Sequence, residues 1–311
     1  MSPKMSFRAL CTSISLLSLS TLTTSAIIPR AVPTSLDFDW GFQAVKATRN
    51  PFGSGGRGRT GSTSSTSFVE LQLNLCNSGF AGCYEDGKSI PEGSDLIYET
   101  GPNVVTVNEI CSNNVATLQA ALAEAWPQDY TYSVFMPVYD EDVKGPFKCK
   151  DSTYNYGSVV MGRISAAAWT GAAGIVPYGG KYTKQDDTKE SRIFACAAAQ
   201  DDHFVCTTHL SSKSQSLAMT QCKAFMSDAI PYLRSHAGST ARTVVGGDFN
   251  LKYDPLIGKN VQDCVPSGWT RKGDGNVQHV LFTNDLAFVD RKDYEMDFTD
   301  HVGWLVKTKD A

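Results

Sequence analysis

The sequence predicts one α/β domain, and three observations carry that expectation. Short runs of β-branched and aromatic residues recur from residue 68 to residue 306. Two stripes of helical period are interspersed among them, at 115–125 and 217–233. Only one stretch, 27–67, lacks the residues to build a core, so the rest reads as one continuous body. Residues 68–74 alternate in strand fashion with the apolar set on one face, and 104–109 form a second strand ending in a carboxylate. Ser112 or Asn113 then caps a helix whose apolar face is Val115, Leu118, Leu122 and Ala125. Strands follow at 130–136 and 157–162, and 193–198 with 203–208 make a hairpin. Leu217, Met219, Cys222, Met226, Ile230 and Leu233 mark a second helix ending at Gly238, which Pro231 should kink or shorten. Thr243-Val244-Val245 leads directly into Gly246-Gly247-Asp248-Phe249-Asn250, and strands at 277–282 and 302–306 complete the set.

The N-terminus reads differently. Lys4 and Arg8 precede an apolar, hydroxyl-rich run that ends in Thr24-Ser25-Ala26, the layout of a secretory signal cleaved after Ala26. No later run is long and apolar enough to span a bilayer, so a secreted, extracellular monomer without a membrane anchor is expected. Residues 27–67 read as loosely ordered, with a Gly/Ser-rich loop at 54–61 that lacks the Gly-Lys-Ser/Thr ending of a phosphate-cradling loop. The ordered domain is placed at 68–311. Of nine cysteines, Cys11 falls in the signal and eight remain, an even number that reads as disulfides in an oxidising compartment. Cys76 and Cys83 flank a turn-forming hexapeptide, and Cys196 and Cys206 suit a cross-hairpin bridge; pairing of the other four stays open. A net charge of -4 argues against a large basic face, but leaves room for an enzyme that draws in a polyanion through a metal and a local patch.

Polar groups recur where the strands end: Asn74, Glu109, His209, Asp248 with Asn250, and Asp300 with His301. Strand ends gathered on one sheet edge are where α/β proteins build sites. Carboxylates and amide oxygens are hard ligands suited to Mg²⁺, Mn²⁺ or Ca²⁺, and two histidines supply acid–base chemistry near neutral pH. His-Glu-x-x-His and Gly-x-Ser-x-Gly are absent from the sequence, which removes those zinc-hydrolase and serine-hydrolase readings. Each residue alone has a bland reading as a cap, turn or buried partner. The ordered combination, Gly-Gly-Asp-Phe-Asn followed about fifty residues later by Asp300-His301, is what carries chemistry.

In that order of motifs the chain resembles the endonuclease/exonuclease/phosphatase superfamily, over nearly all of 68–307. The resemblance implies a four-layer α/β sandwich, two packed mixed sheets flanked by helices. It implies Glu109 as principal metal ligand with Asn74 beside it, and Asp300 holding the metal site or a second ion. Asp248 and Asn250 would orient water and phosphoryl oxygens, His301 would act as base or phosphate ligand, and His209 would contact the phosphate. The chain departs from the family pattern at Gln278, where a carboxylate paired with the final histidine is expected; Asp274 is the substitute the sequence offers. The Glu109 motif also lacks the arginine that DNase I-like enzymes carry close behind, and 140–156 offers no placed carboxylate partner for a histidine. The expected function is a secreted phosphodiesterase using Mg²⁺ or Mn²⁺, with Ca²⁺ also compatible, acting on DNA or RNA. Two alternatives stay open: a phospholipid or phosphoinositide hydrolase with apolar loops near the site, for which 166–178 with Trp169 is the candidate, and a catalytically weakened binding protein.

Overall fold

Residues that pack well on a pleated surface dominate the strand segments, and the chain gathers them into two seven-stranded sheets. The computed structural model describes residues 33–38, 46–49, 67–186, 188–254, 256 and 259–311. The signal expected at 1–26 and the Gly/Ser-rich loop at 54–61 lie outside the described residues.

The first sheet runs, in spatial order, β16 (Leu286–Tyr294), β17 (Gly303–Asp310), β3 (Ser67–Asn74), β4 (Val104–Cys111), β8 (Tyr156–Ile164), β5 (Tyr130–Pro137) and β2 (Lys46–Arg49). The second runs β1 (Leu36–Asp37), β9 (Ile175–Tyr182), β11 (Ile193–Ala199), β12 (His203–His209), β13 (Arg242–Asp248), β15 (Gln278–Thr283) and β14 (Trp269–Gly273). A small ladder of β10 (Glu190–Ser191), β6 (Tyr139–Asp140) and β7 (Gly145–Pro146) stands apart. Segment 27–67, expected to be loosely ordered, thus contributes an edge strand to each sheet, β1 against β9 and β2 against β5.

Each sheet holds one parallel pair, β3 with β4 and β12 with β13, and these decide where the site forms. Their registers place Asn74 opposite Asn108 and His209 opposite Asp248, so four C-terminal strand ends share one pole of the sandwich. At the other pole begin His203 and Arg242.

Helices cover both outer faces. α1 (Ser89–Thr100) and α2 (Val115–Ala125) seat Ile97, Leu118 and Leu122 on Leu71, Leu73, Val105 and Val107. The cap of α2 is Asn114 rather than Ser112 or Asn113, and its side chain makes no capping bond. The unexpected helix is α1. It carries Pro91 in its first turn, where no N–H is needed, and Gly93, whose Cβ would come 3.2 Å from the Leu75 side chain. Over the second sheet, α3 (Gln215–Lys223) and α4 (Ile230–Ala237) are joined by one π-helical segment, Ala224–Ala229. Pro231 has no N–H to donate to residue 227. The widened turn absorbs that loss, with the Ile230 N–H reaching the Phe225 carbonyl. The helix ends at Gly238 in the left-handed region, φ 63°. The fold is therefore a four-layer sandwich, helices–sheet–sheet–helices.

The layer between the sheets changes character along its length. Toward the far pole it is apolar, with Phe68, Tyr132, Val160, Val244 and Phe282 in one cluster. Toward the strand C-termini it is polar yet equally buried: Glu70, Gln72, Thr106, Asn108, Thr207 and Gln278 are all at 1% exposure or less. An unpartnered buried polar group costs about 1–3 kcal/mol, so these side chains must satisfy one another. The Thr106 hydroxyl donates to Gln72 Oε1 (2.6 Å) and lies within hydrogen-bonding reach of Glu70 Oε1 (3.0 Å), and Gln72 donates to Asn108 and Gln278. The second carboxylate oxygen of Glu70 has no partner, and burial raises the Glu70 pKa well above the usual carboxylate range, with the Thr106 hydrogen bond opposing the rise.

Gly246 lies against this patch. A Cβ there would meet Thr106 Oγ1 at 2.0 Å and Glu70 Oε1 at 2.1 Å, across the gap between the sheets. A Cβ on Gly247 would meet the Thr208 carbonyl at 2.4 Å. Both glycines of the Gly-Gly-Asp run are thus demanded by close approach of neighbouring atoms. Gly246→Ala should destabilise the fold by about 1–3 kcal/mol through overpacking, whereas Gly82→Ala, in open space, should change stability by under about 0.5 kcal/mol; urea denaturation of both variants checks this.

Candidate active site

The polar pole brings together all seven residues singled out from sequence, within hydrogen-bonding or ion-pairing reach of one another, five at its centre and Asn250 and Asp300 at its rim. Asn74, at the end of β3, donates from Nδ2 to Glu109 Oε1 (3.0 Å) and to Asp248 Oδ2 (3.1 Å). His209 Nε2 lies 3.9 Å from Glu109 Oε1, and His301 Nε2 lies 3.6 Å from Asp248 Oδ2. Asn250 is at the rim. Its N–H donates to Asp248 Oδ1 and its side chain to the Leu210 carbonyl, so it braces the Asp248 loop. Asp300 is the most exposed of the set, with Oδ1 3.5 Å from His301 Nε2. Its carboxylate also lies near the sulfurs of Cys76 and Cys83, which are joined as a disulfide and offer no thiolate.

Backbone geometry aims these groups. β4 is interrupted by a bulge against β8 between Val107 and Ile110, and Glu109 within it takes a left-handed φ of 57°. Without the bulge a residue next to Asn108 would face the helices; with it, both reach the pole. Cys76 (φ 45°) and Asn250 (φ 49°) are also left-handed. Three non-glycine residues held there are a cost of order 1–3 kcal/mol each that the surrounding contacts must offset.

Burial sets the electrostatics. It raises the Glu109 pKa to about 7, the Asn74 hydrogen bond opposing and the Asp248 charge adding to the rise. Burial likewise raises Asp248. His209 is driven well below its usual range by burial, then by the charges of Arg192 and His301, so it is neutral at neutral pH. Two carboxylates crowded beneath a neutral imidazole form an environment that a cation would relieve. The donor chemistry fits a hard cation at Glu109 and Asp248. Asn74 is turned otherwise: its Oδ1 accepts from the Cys76 N–H, and its NH₂ faces the carboxylates.

Several residues of the pole were not legible in sequence. Arg192, just past β10, is buried; burial opposes its charge, but Glu190, Tyr156, Glu109 and Asp186 together hold it protonated. It donates to Glu190 (3.1 Å) and Ser212 (3.3 Å). Tyr156, at the start of β8, is buried with a raised pKa, from burial first and then the nearby Glu109. Asn108 is the third: its Oδ1 accepts from Gln72 and from the Asp248 N–H, and its Nδ2 donates to Ser158 and Thr207. A signal existed only for Asn108, as a polar residue inside a run of valines.

Gln278 does not face His301. Its Oε1 accepts from Gln72 and its Nε2 donates to the Val302 carbonyl at 2.6 Å, so it anchors the chain just after His301. The carboxylates beside His301 are Asp248 and Asp300, and Asp274 is held by the Asn276 N–H at 2.7 Å. No carboxylate of 140–156 meets His209; its carboxylate neighbour is Glu109. The loop proposed to meet lipid is at the wrong pole: Trp169 stacks on Tyr130, and Ile175 pairs with Ala199, both at the end away from Asp248. Four disulfides tie the frame. Cys76–Cys83 and Cys196–Cys206 are as expected, and Cys111–Cys149 and Cys222–Cys264 complete the set.

Beside the site, on β15, His279 donates from Nε2 to the Leu251 carbonyl (2.8 Å), and burial pulls its pKa down to about 3. The unfolded chain binds this proton below pH 6.5 while the folded chain refuses it until about pH 3. The stability this group contributes is therefore complete above pH 6.5 and is lost as pH falls toward 3. His279→Gln should flatten acid destabilisation, narrowing the gap between unfolding free energies at pH 7 and pH 4.5 by about 2 kcal/mol. Urea titrations at the two pH values measure it.

No protein-family model and no curated protein matches the chain. Solved structures do. An endonuclease/exonuclease/phosphatase family protein from Bacteroides thetaiotaomicron superposes with a TM-score of 0.56 at 11% identity, over 79% of this chain and 96% of that one. An endonuclease/exonuclease/phosphatase from Beutenbergia cavernae gives 0.54 at 17% identity, over 79% and 72%. ANGEL2, a 2′,3′-cyclic phosphatase, in complex with adenosine-2′,3′-vanadate, gives 0.52 at 12% identity, over 79% and 96%. With its two mixed sheets, outer helices and polar pole at the strand ends, this chain has the fold of the endonuclease/exonuclease/phosphatase proteins.

Proposed function

We propose that the protein is a secreted, divalent-metal-dependent phosphodiesterase that hydrolyses nucleic acid. The observation that carries this reading is the pair of carboxylates, half-buried Glu109 and buried Asp248, joined through one Asn74 amide and flanked by His209 and His301. Buried acids are costly unless paired with positive charge, and Mg²⁺ or Mn²⁺ is the partner that hard oxygen donors take. In this assignment Glu109 is the principal ligand and Asp300 stands at the rim of the metal site, while Asn74, expected as a ligand, instead braces Glu109 and Asp248 through its NH₂. When bound, such an ion neutralises charge on a phosphodiester and on the atoms that leave it.

The chain's own groups then divide the work. His209, neutral and 3.9 Å from Glu109, is able to donate to or accept from a phosphoryl oxygen without adding charge. Asp248 orients an attacking water, its Oδ1 fixed by the Asn250 N–H and its backbone N–H by Asn108. His301, between Asp248 and Asp300, takes a proton or binds phosphate. Arg192, held charged beneath the site, adds a fixed positive field. Nucleic acid is favoured over lipid because the apolar loop singled out at 166–178 lies at the opposite pole, and because ANGEL2, of the same fold, is a 2′,3′-cyclic phosphatase. Four disulfides and the signal-like N-terminus support secretion.

Purified protein with Mg²⁺ or Mn²⁺ should degrade plasmid DNA or total RNA, and EDTA should stop it. His209→Ala and Asp248→Asn should each lower the rate by about a hundredfold or more, with melting temperatures near that of the parent. Cleavage of sphingomyelin or a phosphoinositide, with neither nucleic acid cut under any metal condition, would transfer the activity to lipid; inertness toward all of them would leave a binding role.

A further inference from the structure

The β14–β15 hairpin and the β16–β17 hairpin enclose a cavity of about 480 Å³ that none of the site residues lines. It adjoins the site all the same. Asp274, at the tip of β14–β15, lines it and donates its N–H to the Gln278 carbonyl (3.1 Å), and Gln278 pairs with Asp248 across β13 and β15.

Three cations line this cavity: Arg271, Lys272 and Arg291. None of them forms an ion pair among the described residues. Arg271 is nevertheless held in place on three sides. Its guanidinium stacks over Tyr253 with 4.4 Å to the ring centroid, its Nε donates to Gln262 (3.1 Å), and one terminal nitrogen donates to His279 Nδ1 at 3.2 Å. That last bond needs an unprotonated Nδ1, which the Nε2 bond to Leu251 provides. Arg291 lies over Trp304, 5.6 Å from its centroid, and one nitrogen approaches the Gly273 carbonyl at 3.4 Å. Lys272 rests over Phe288. In each arginine at least one N–H edge has no protein acceptor among the described residues. Two guanidiniums supported by rings and amides, and not by carboxylates, are a preorganised anion receptor.

We propose that this cavity is a second phosphate site, which takes a non-scissile phosphate of the nucleic acid strand whose scissile linkage lies at Asp248 and His301. The inference rests on the nuclease reading for its substrate. Asp274 and Asp293 also line the cavity, against the three cations, so the charge balance suits a single phosphate diester better than a cluster of phosphates. The site sets the register of the strand, and a substrate with only one phosphate cannot use it.

The test compares an oligonucleotide with bis(p-nitrophenyl) phosphate, which has one diester and no neighbouring phosphate. Arg291→Gln, on an exposed strand where folding is not at issue, and Arg271→Gln should each lower the ratio of kcat/KM on the oligonucleotide to that on the small diester by about tenfold or more. The fall should come through KM. A ratio unchanged in both variants, with the parent protein cutting the oligonucleotide, overturns the second site and leaves the nuclease reading standing. If the parent protein cuts neither substrate, the nuclease reading fails and inorganic phosphate becomes the probe. In EDTA, phosphate should then raise the melting temperature of the parent protein but not of the Arg271→Gln/Arg291→Gln double variant, and an equal or absent rise in both overturns the site.

Discussion

One buried amide holds the two halves of the molecule in register. Asn108 has no solvent exposure, and each of its polar atoms is engaged across a strand boundary: Gln72 and Ser158 within its own sheet, Thr207 and the Asp248 N–H in the other. Sheet-on-sheet packing by apolar side chains tolerates sliding, because dispersion is non-directional. Hydrogen bonds of about 3 Å do not. The amide therefore fixes how far β13 stands from β4, and with that the separation of Asp248 from Glu109, which Asn74 spans.

The polar inter-sheet patch has a further consequence. It needs the sheets close together at one pole, and Gly246 provides the clearance that any side chain would remove. Tight approach in turn excludes solvent, and exclusion of solvent is what raises Glu109 and Asp248 and suppresses the charge on His209. The perturbed acids and base are thus products of the same packing that orders them. Gln278 belongs to this scheme as a structural member. By holding the Val302 carbonyl it positions the turn that carries His301, a task an amide performs through its N–H and an ionised carboxylate could not.

The far pole shows the same architecture closed off. There the gap fills with Phe68, Tyr132 and Phe282, and His203 is tied to Tyr132 and Asp202. A histidine at the start of β12 is locked into packing while the histidine at its end faces the site. The two stand six positions apart in the strand, an even number, so both point between the sheets; only the environment at each pole divides them.

Much of this protein was legible from local pattern. Strand and helix periodicity located most elements, the turn between Cys76 and Cys83 and the hairpin between Cys196 and Cys206 announced their bridges, and Asn74, Glu109, His209, Asp248 and His301 were all placed at strand ends. These are features of residue type and short spacing, which the chain carries without its fold. α1 escaped because Pro91 and Gly93 read as breakers until their neighbours are known. β1 and β2 escaped because an edge strand of two to four residues has too few side chains to show a period. What the tertiary structure alone decided is which polar residues are buried together. The alternation in β3 placed Glu70, Gln72 and Asn74 on one face, but a polar face normally meets water; here β12, β13 and β15 of the second sheet, more than a hundred positions away, cover it. Arg192, Tyr156 and the cavity beneath Arg271 and Arg291 come from separate strands with no shared spacing. Their meeting depends on the crossing of two sheets, a long-range constraint that no local pattern encodes.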